Sequence, residues 1–260
     1  MTNGFYITLA GILGLILGSF FNVVALRDRE RGSIVTGRSH CPHCKHDLAW
    51  YELLPVLSFL VQAGRCRHCK KAISTRYPLV ELLAACLAIF SVWYGFLERG
   101  SWVLAAGLAL SLLVLLSVTL VDLALMEVPV DYVLVAGIIG GVTMVVSGQL
   151  TWQSALLGAV AGAGSLAVVL YGWLLLFHKK GMGEGDLVIA AAMGAILGFP
   201  MIFVGLMAAV FSGAILGSVL VLMRKKSYAS AIPFGPFLYL GLLLALLAGQ
   251  AFLRWYILYP

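Results

Sequence analysis

GSWVLAAGLALSLLVLLSVTLVD, residues 100–122, carries no charged side chain from Gly100 to Val121 and then ends on Asp122. As a helix, such a run is about 33 Å long, enough to cross a hydrocarbon layer of about 30 Å. Comparable runs recur along the chain. They predict about eight spans, at roughly 5–26, 79–97, 102–123, 130–147, 152–177, 186–198, 200–223 and 232–257. The sixth is short, about 13 residues, which suits a tilted helix or a broken one shielded by protein; miscounting it would shift the total by one. The expected fold class is an all-α polytopic membrane protein. The first run lacks the charged start and small-residue cleavage site of a secretory signal and reads as a retained span.

Composition agrees. Of 260 residues, 62% are hydrophobic and 11% charged, and the mean hydropathy is +1.03. A soluble protein of this size cannot bury so much apolar surface. The net charge of +6 points to lipid and topology, not to nucleic acid, because no basic groove with interleaved aromatics is present. Ten of the 17 Lys and Arg lie between Arg27 and Arg76. With eight spans and both termini outside, Lys179, Lys180, Arg224, Lys225 and Lys226 join them on one side, and only Arg99 and Arg254 fall opposite. The positive-inside rule then places the 27–78 loop in the cytosol. Three parts follow: a first transmembrane helix at 1–26, a small cytosolic module at 27–78, and a membrane core at 79–260. No internal repeat of 20 to 50 residues is evident.

The module carries Cys41-Pro-His-Cys44 and Cys66-Arg-His-Cys69, with 21 residues between the pairs. Two Cys-x2-Cys turns supply the four thiolates of a tetrahedral zinc site, and a cytosolic location argues against structural disulfides. Four thiolates leave no open position for water, so such a zinc is structural. Redox pairs remain the other reading of the doublets. Replacement of one thiolate by His40, His43, His46 or His68 also stays open. Cys86 lies in the second span and reads as packing. No His-Glu-x-x-His occurs, which counts against zinc-peptidase chemistry.

Carboxylates near hydrocarbon are expensive and mark candidate sites. Asp122 closes one apolar run, and Asp186 opens another after Gly181-Met-Gly-Glu-Gly185. Both fall at cytoplasmic helix ends in the eight-span topology, so they can meet although 64 positions apart. Gly183 and Gly185 allow unusual backbone angles and close approach. A helix-capping role is the alternative for Asp186. Two facing carboxylates share one proton: one is suited to take a proton from water, the other to give one to a carbonyl oxygen. Glu81 is expected to pair with a basic residue, with a site role as the second choice. Glu127, Asp131 and Glu184 are expected to be solvated.

The chain resembles the bifunctional type IV prepilin peptidases, also called leader peptidase/N-methyltransferases, over nearly its whole length. The resemblance rests on Gly18-Ser-Phe-Phe-Asn-Val-Val24, the cysteine doublets, Trp50-Tyr51-Glu52, Pro55-Val-Leu-Ser58, Gly64-Arg-Cys66 and Arg76-Tyr-Pro-Leu-Val-Glu-Leu82. It continues through Asp122 with Pro129, Gly181-Met-Gly-Glu-Gly-Asp186 and Ile232-Pro-Phe-Gly-Pro-Phe-Leu238. It implies that Asp122 and Asp186 are the catalytic aspartates of a membrane aspartic peptidase in the bacterial inner membrane. The substrates implied are prepilins, or the pseudopilins of type II secretion. These carry a short basic leader, then Gly, then a hydrophobic helix; cleavage follows the Gly, and S-adenosylmethionine methylates the new amine. No cofactor-binding residue for that donor is readable. The family commonly has Asp or Asn where this chain has Val130, and Lys where it has Val188. A zinc-stapled membrane transporter or scaffold, with the two aspartates as a proton relay, is the competing reading.

Overall fold

The computed structural model describes residues 2–29, 39–178, 181–223 and 232–258. Seven basic residues behind the topology, Arg31, Arg38, Lys179, Lys180, Arg224, Lys225 and Lys226, lie outside the described residues. The described residues are mostly helical, with no named strand. Among the described residues, six helical stretches are long and apolar enough to cross a membrane: Asn3–Asn22, Arg76–Leu97, Trp102–Leu125, Trp152–Phe177, Met201–Leu222 and Gly235–Tyr256. Two of the expected spans are shorter helices, Val130–Val146 and Glu184–Leu197. The chain is a multi-pass membrane protein. It divides into two compact units, Met1–Leu113 and Val114–Pro260, with the boundary inside one helix.

In the first unit, α1 (Thr2–Arg29) packs antiparallel to α3 (Arg76–Val92). Glycines make that approach close. A methyl added at Gly14 would lie 2.6 Å from Ala85 Cα, and one at Gly18 would lie 2.6 Å from Ala84 Cβ. Apolar tails cannot drive helix association in lipid, so such small-residue seams supply the packing instead. Between these helices lies the module, with a 3-10 turn at Trp50–Leu53 and the short α2 (Leu57–Val61). The Glu52 carboxylate accepts the Ala49 N–H at 3.0 Å and caps the 3-10 turn.

The module does contain a repeat, of 25 residues. In one turn Cys41 N–H donates to His46 O and Lys45 N–H to Cys41 O; in the other Cys66 N–H donates to Lys71 O and Lys70 N–H to Cys66 O. Bridges His40–Asp47 and Arg65–Ala72 close both turns, and Lys45 and Lys70 share positive φ values of 57° and 59°. The sequence shows the repeat only as Cys-x-His-Cys-Lys at 41–45 and 66–70, with little identity beyond that motif.

The second unit holds the end of α4 (Trp102–Leu125), then α5 (Val130–Val146), α6 (Trp152–Phe177), α7 (Glu184–Leu197), α8 (Met201–Leu222), α9 (Gly235–Leu244) and α10 (Gln250–Leu258). The short α7 is the central rod. α5 runs parallel to it, with Gly137 against Ala192 and Gly141 against Ala195. α6 runs antiparallel, with Gly162 against Ala190 and Gly158 against Gly194. Beyond α7 the backbone turns through Gly198 (φ 73°). There Phe199 N–H donates to Ser154 Oγ at 3.1 Å, and Ser154 Oγ–H donates to Phe199 O at 3.0 Å. Non-helical backbone at membrane depth needs such partners. The short sixth span is therefore a helix shielded by protein, one of the two arrangements its length predicts.

Candidate active site and metal centre

Asp122 sits near the C-terminal end of α4, and Asp186 is the third residue of α7. Both are buried, at 4% and 6% exposure, so neither is the solvated surface acid that a helix end usually shows. Their helix ends meet: a methyl at Gly185 would stand 2.6 Å from Val128 Cβ, in the turn after Asp122, and Gly235 lies against both Asp122 and Ile189 of α7. The fold thus brings together two residues that the sequence separates. Glu127, Asp131 and Glu184 are exposed, as expected.

Asp186 is not the N-cap of α7. Gly183 occupies that position with ordinary extended angles (φ −78°, ψ 147°), and its N–H donates to the Asp186 carboxylate. A side chain at Gly183 would make only an ordinary contact, 3.7 Å, with Asp186 Oδ2. Gly183 is therefore not required for unusual angles. Gly185 serves close approach: a methyl there would stand 2.6 Å from Val128 Cβ, in the turn that follows α4. Bare backbone at 185 lets the start of α7 lie against the segment just after Asp122.

Gly235 is a site residue to which the sequence reading gave no role. Its N–H donates to Asp122 Oδ2 at 3.1 Å. It opens α9, where helical N–H groups lack partners and the helix dipole favours a carboxylate. A methyl at Gly235 would lie 2.5 Å from Asp122 Oδ2 and 3.1 Å from Ile189 Cδ1. The start of α9 is thus wedged between Asp122 and α7. The available signal was a glycine followed by proline at the head of an apolar run.

Glu81 departs from its expected pairing with a basic residue. Its Oε2 accepts the Val56 N–H at 2.7 Å, and Ser19 also hydrogen-bonds the carboxylate. Val56 has φ 61°, a strained value for a β-branched residue. Glu81 therefore ties a strained turn of the module to α3.

The thiol sulfurs of Cys41, Cys44, Cys66 and Cys69 lie within 4.8 Å of one another, and Cys41 Sγ is 3.9 Å from Cys69 Sγ. A tetrahedral zinc with bonds of about 2.3 Å sets its sulfurs roughly 3.8 Å apart, so the donor set fits that ion. His46 and His68 meet edge to face at 4.5 Å, but no histidine joins the donor group among the described residues. The thiols hold protons unequally. Burial raises the pKa of Cys41, yet hydrogen bonds from the Cys44 and His43 backbone and from the Cys44 and Cys66 thiols bring it down to about 7. At Cys44 the His46 backbone N–H lowers the pKa, but burial, the Cys41 and Cys69 thiols and the Cys41 charge push it up to about 11. A bound cation would draw all four to thiolates and release protons.

Comparison with known proteins agrees with this layout. Residues 12–95 match the Bacterial Peptidase A24 N-terminal domain, and residues 108–218 match the Type IV leader peptidase family. A protein of Aeromonas salmonicida named prepilin leader peptidase/N-methyltransferase is 36% identical over 97% of this chain and 94% of its own length. Proteins of the same name from Bacillus subtilis and Pseudomonas putida are each 34% identical, over 95% and 96% of this chain and 96% and 93% of their own. No solved structure matches the chain. By these matches over nearly its whole length, the chain belongs to the type IV leader peptidase family.

Proposed function

We propose that this protein cleaves the leader from type IV prepilins or pseudopilins after a glycine, with Asp122 and Asp186 as the catalytic pair. The observation that carries the reading is two buried carboxylates from separate helices whose ends pack together at Gly185–Val128 and at Gly235. Such a pair binds one proton between them. The ionised member takes a proton from water as the water attacks the peptide carbonyl. The protonated member gives its proton to the carbonyl oxygen; as the tetrahedral species collapses, the first member gives the proton taken from water to the leaving amine, and the hydroxyl returns its proton to the second. The Gly235 and Gly183 N–H groups hold one carboxylate each and fix their orientation. A proton relay in a transporter would use the same acids. It would not account for the relatives' shared name or for their coverage of both parts of the chain.

The site is proposed to face the cytosol of an inner-membrane protein, on the side where 15 of the 17 basic residues fall in the eight-span topology. Cys41, Cys44, Cys66 and Cys69 would hold one structural zinc. With no coordination position left for water, it shapes the module and takes no part in bond cleavage. The relatives' name also supports methylation of the new N-terminus, for which S-adenosylmethionine would supply the methyl group. A groove between α5, α6 and α7 is lined by apolar side chains and offers no polar cradle for that donor.

The test is Asp122→Asn and Asp186→Asn, each assayed on a prepilin with its leader intact. Each variant should insert and fold, yet cleave at below about one-thousandth of the wild-type rate, because the two acids act as a unit. Substantial cleavage by either folded variant removes that residue from the mechanism.

A further inference from the structure

Among the described residues, one face of the module is apolar and exposed. Leu57, Leu60 and Val61 share one side of α2 and are 60%, 65% and 73% exposed. Trp50, on the 3-10 turn that packs against α2, is 76% exposed. Phe59 is the α2 residue that turns inward, its ring against Gly64. A module surrounded by water rarely carries such a patch.

Glu81 sets the depth of this face. Its carboxylate accepts the Val56 N–H at 2.7 Å, and Val56 leads directly into α2. Glu81 lies roughly 7.5 Å inside the span that starts at Arg76. α1 gives the same level, because Gly18 lies against Glu81 Cα and stands roughly 6 Å inside the end of its own span at Asn22. A glutamate side chain is shorter than one helical turn, about 5.4 Å, so Val56 cannot stand far outside Arg76. α2 therefore begins at the surface of the hydrocarbon layer. Charge lies beside the same face. The Arg67 guanidinium sits 5.2 Å over the Tyr51 ring, next to Trp50. Arg65, Lys70 and Lys71 share the second knuckle with it, all exposed, and residues 65–73 contain no acid.

We infer that the segment from Trp50 to Val61 is seated in the leaflet next to Arg76, its apolar face at the boundary of headgroups and acyl chains and the basic second knuckle against anionic headgroups. Lipid is the occupant that the placement selects. The face begins where two spans end, and it carries tryptophan and tyrosine, which favour that boundary. A short apolar face of this kind sinks about 5–10 Å into the boundary, and anionic headgroups attract the cations beside it. The module is then half immersed rather than free in water. The cysteine pair at 66 and 69, which follows the Gly64 turn, is held close to the bilayer surface.

The test uses the full chain in vesicles of phosphatidylethanolamine and phosphatidylglycerol, with the fluorescent amino acid dansylalanine at Leu60. A lipid that carries a doxyl group near its headgroup samples the boundary, and iodide samples water. The same label at Leu156, an exposed position on the α6 span, is the control that lipid reaches and iodide does not. At Leu60 the doxyl lipid should lower the emission at least twofold. A smaller loss overturns the proposal: iodide quenching then shows the face to lie in water, and quenching by neither shows it to be covered by protein. Leu57→Glu together with Val61→Glu, in labelled chains whose helicity is unchanged by circular dichroism, should cut the doxyl quenching by at least half. Quenching that stays above that level overturns the claim that this face seats the segment. None of these readouts uses prepilin cleavage, so the proposal stands or falls apart from the peptidase reading.

Discussion

Replacing Gly235 with alanine adds one methyl at the point where α9 meets Asp122. The methyl would stand 2.5 Å from Asp122 Oδ2, and ordinary contact begins at 3.4 Å, so the carboxylate must retreat by roughly 0.9 Å. The methyl cannot move aside toward α7 instead, because it is already 3.1 Å from Ile189 Cδ1. The 3.1 Å bond from the Gly235 N–H is lengthened in the process. A misplacement of about 1 Å at a reacting group can cost about a hundredfold in rate. Gly235→Ala is therefore expected to lower kcat about a hundredfold, with KM for the precursor little changed. The assay is conversion of a purified prepilin to its shortened form, followed by gel and by mass. Gly183→Ala is the internal comparison: its methyl makes an ordinary 3.7 Å contact with Asp186 Oδ2, so cleavage should stay within about threefold of wild type. Wild-type kcat in Gly235→Ala would refute the claim that the start of α9 sets the position of Asp122.

Three further outcomes are expected. Purified protein should hold about one zinc per chain, and Cys69→Ser should lower both zinc content and thermal stability, while any residual cleavage keeps its dependence on both aspartates; a metal-free, fully active preparation would sink the metal site. Cysteine labelling from outside intact cells should reach positions near Arg99 and miss those near residue 46 and near residue 182; the reverse pattern overturns the topology. Glu81→Ala should destabilise the module by about 1–3 kcal/mol, because it strips the acceptor from the Val56 N–H. Glu81→Gln, whose amide oxygen can still accept, should lose less; equal melting temperatures for wild type and Glu81→Ala would show that the tether carries no stability.

Helix positions were legible because hydropathy alone decides them. Charge-free runs such as Gly100–Val121 have few alternatives to a spanning helix. The four cysteines were legible because metal spacing is a local property of a tight turn. Asp122 and Asp186 stood out as acids where acids are costly. What escaped was long-range and backbone-borne. Gly235 acts through an N–H and through a missing side chain, neither of which leaves a polar letter in the sequence. Glu81 looked like half of an ion pair because Arg76 is near it in sequence, whereas its carboxylate turns to Val56, 25 positions away. The knuckle repeat was legible only as the short Cys-x-His-Cys-Lys motif at 41–45 and 66–70; the rest of its likeness lies in backbone bonds that many side chains permit.

The shortness of α7 suits the role proposed for Asp186. Fourteen residues rise roughly 21 Å, short of a hydrocarbon layer of about 30 Å, whereas the 24 residues of α4 exceed it. Asp122 lies just inside the end of the long helix, so a partner on a full-length neighbour would begin in the headgroup region. Water and salt there would screen one carboxylate from the other. A short helix can start deeper, and Asp186, on its first turn, is buried as Asp122 is, where screening is weak. That depth leaves helix ends and a turn inside the membrane, which lipid cannot solvate. At the far end Ser154 hydrogen-bonds Phe199, and along its length α7 is sheathed by the glycine faces of α5 and α6. These contacts lie far along α7 from either aspartate, yet they allow the short helix to exist at the depth its carboxylate needs.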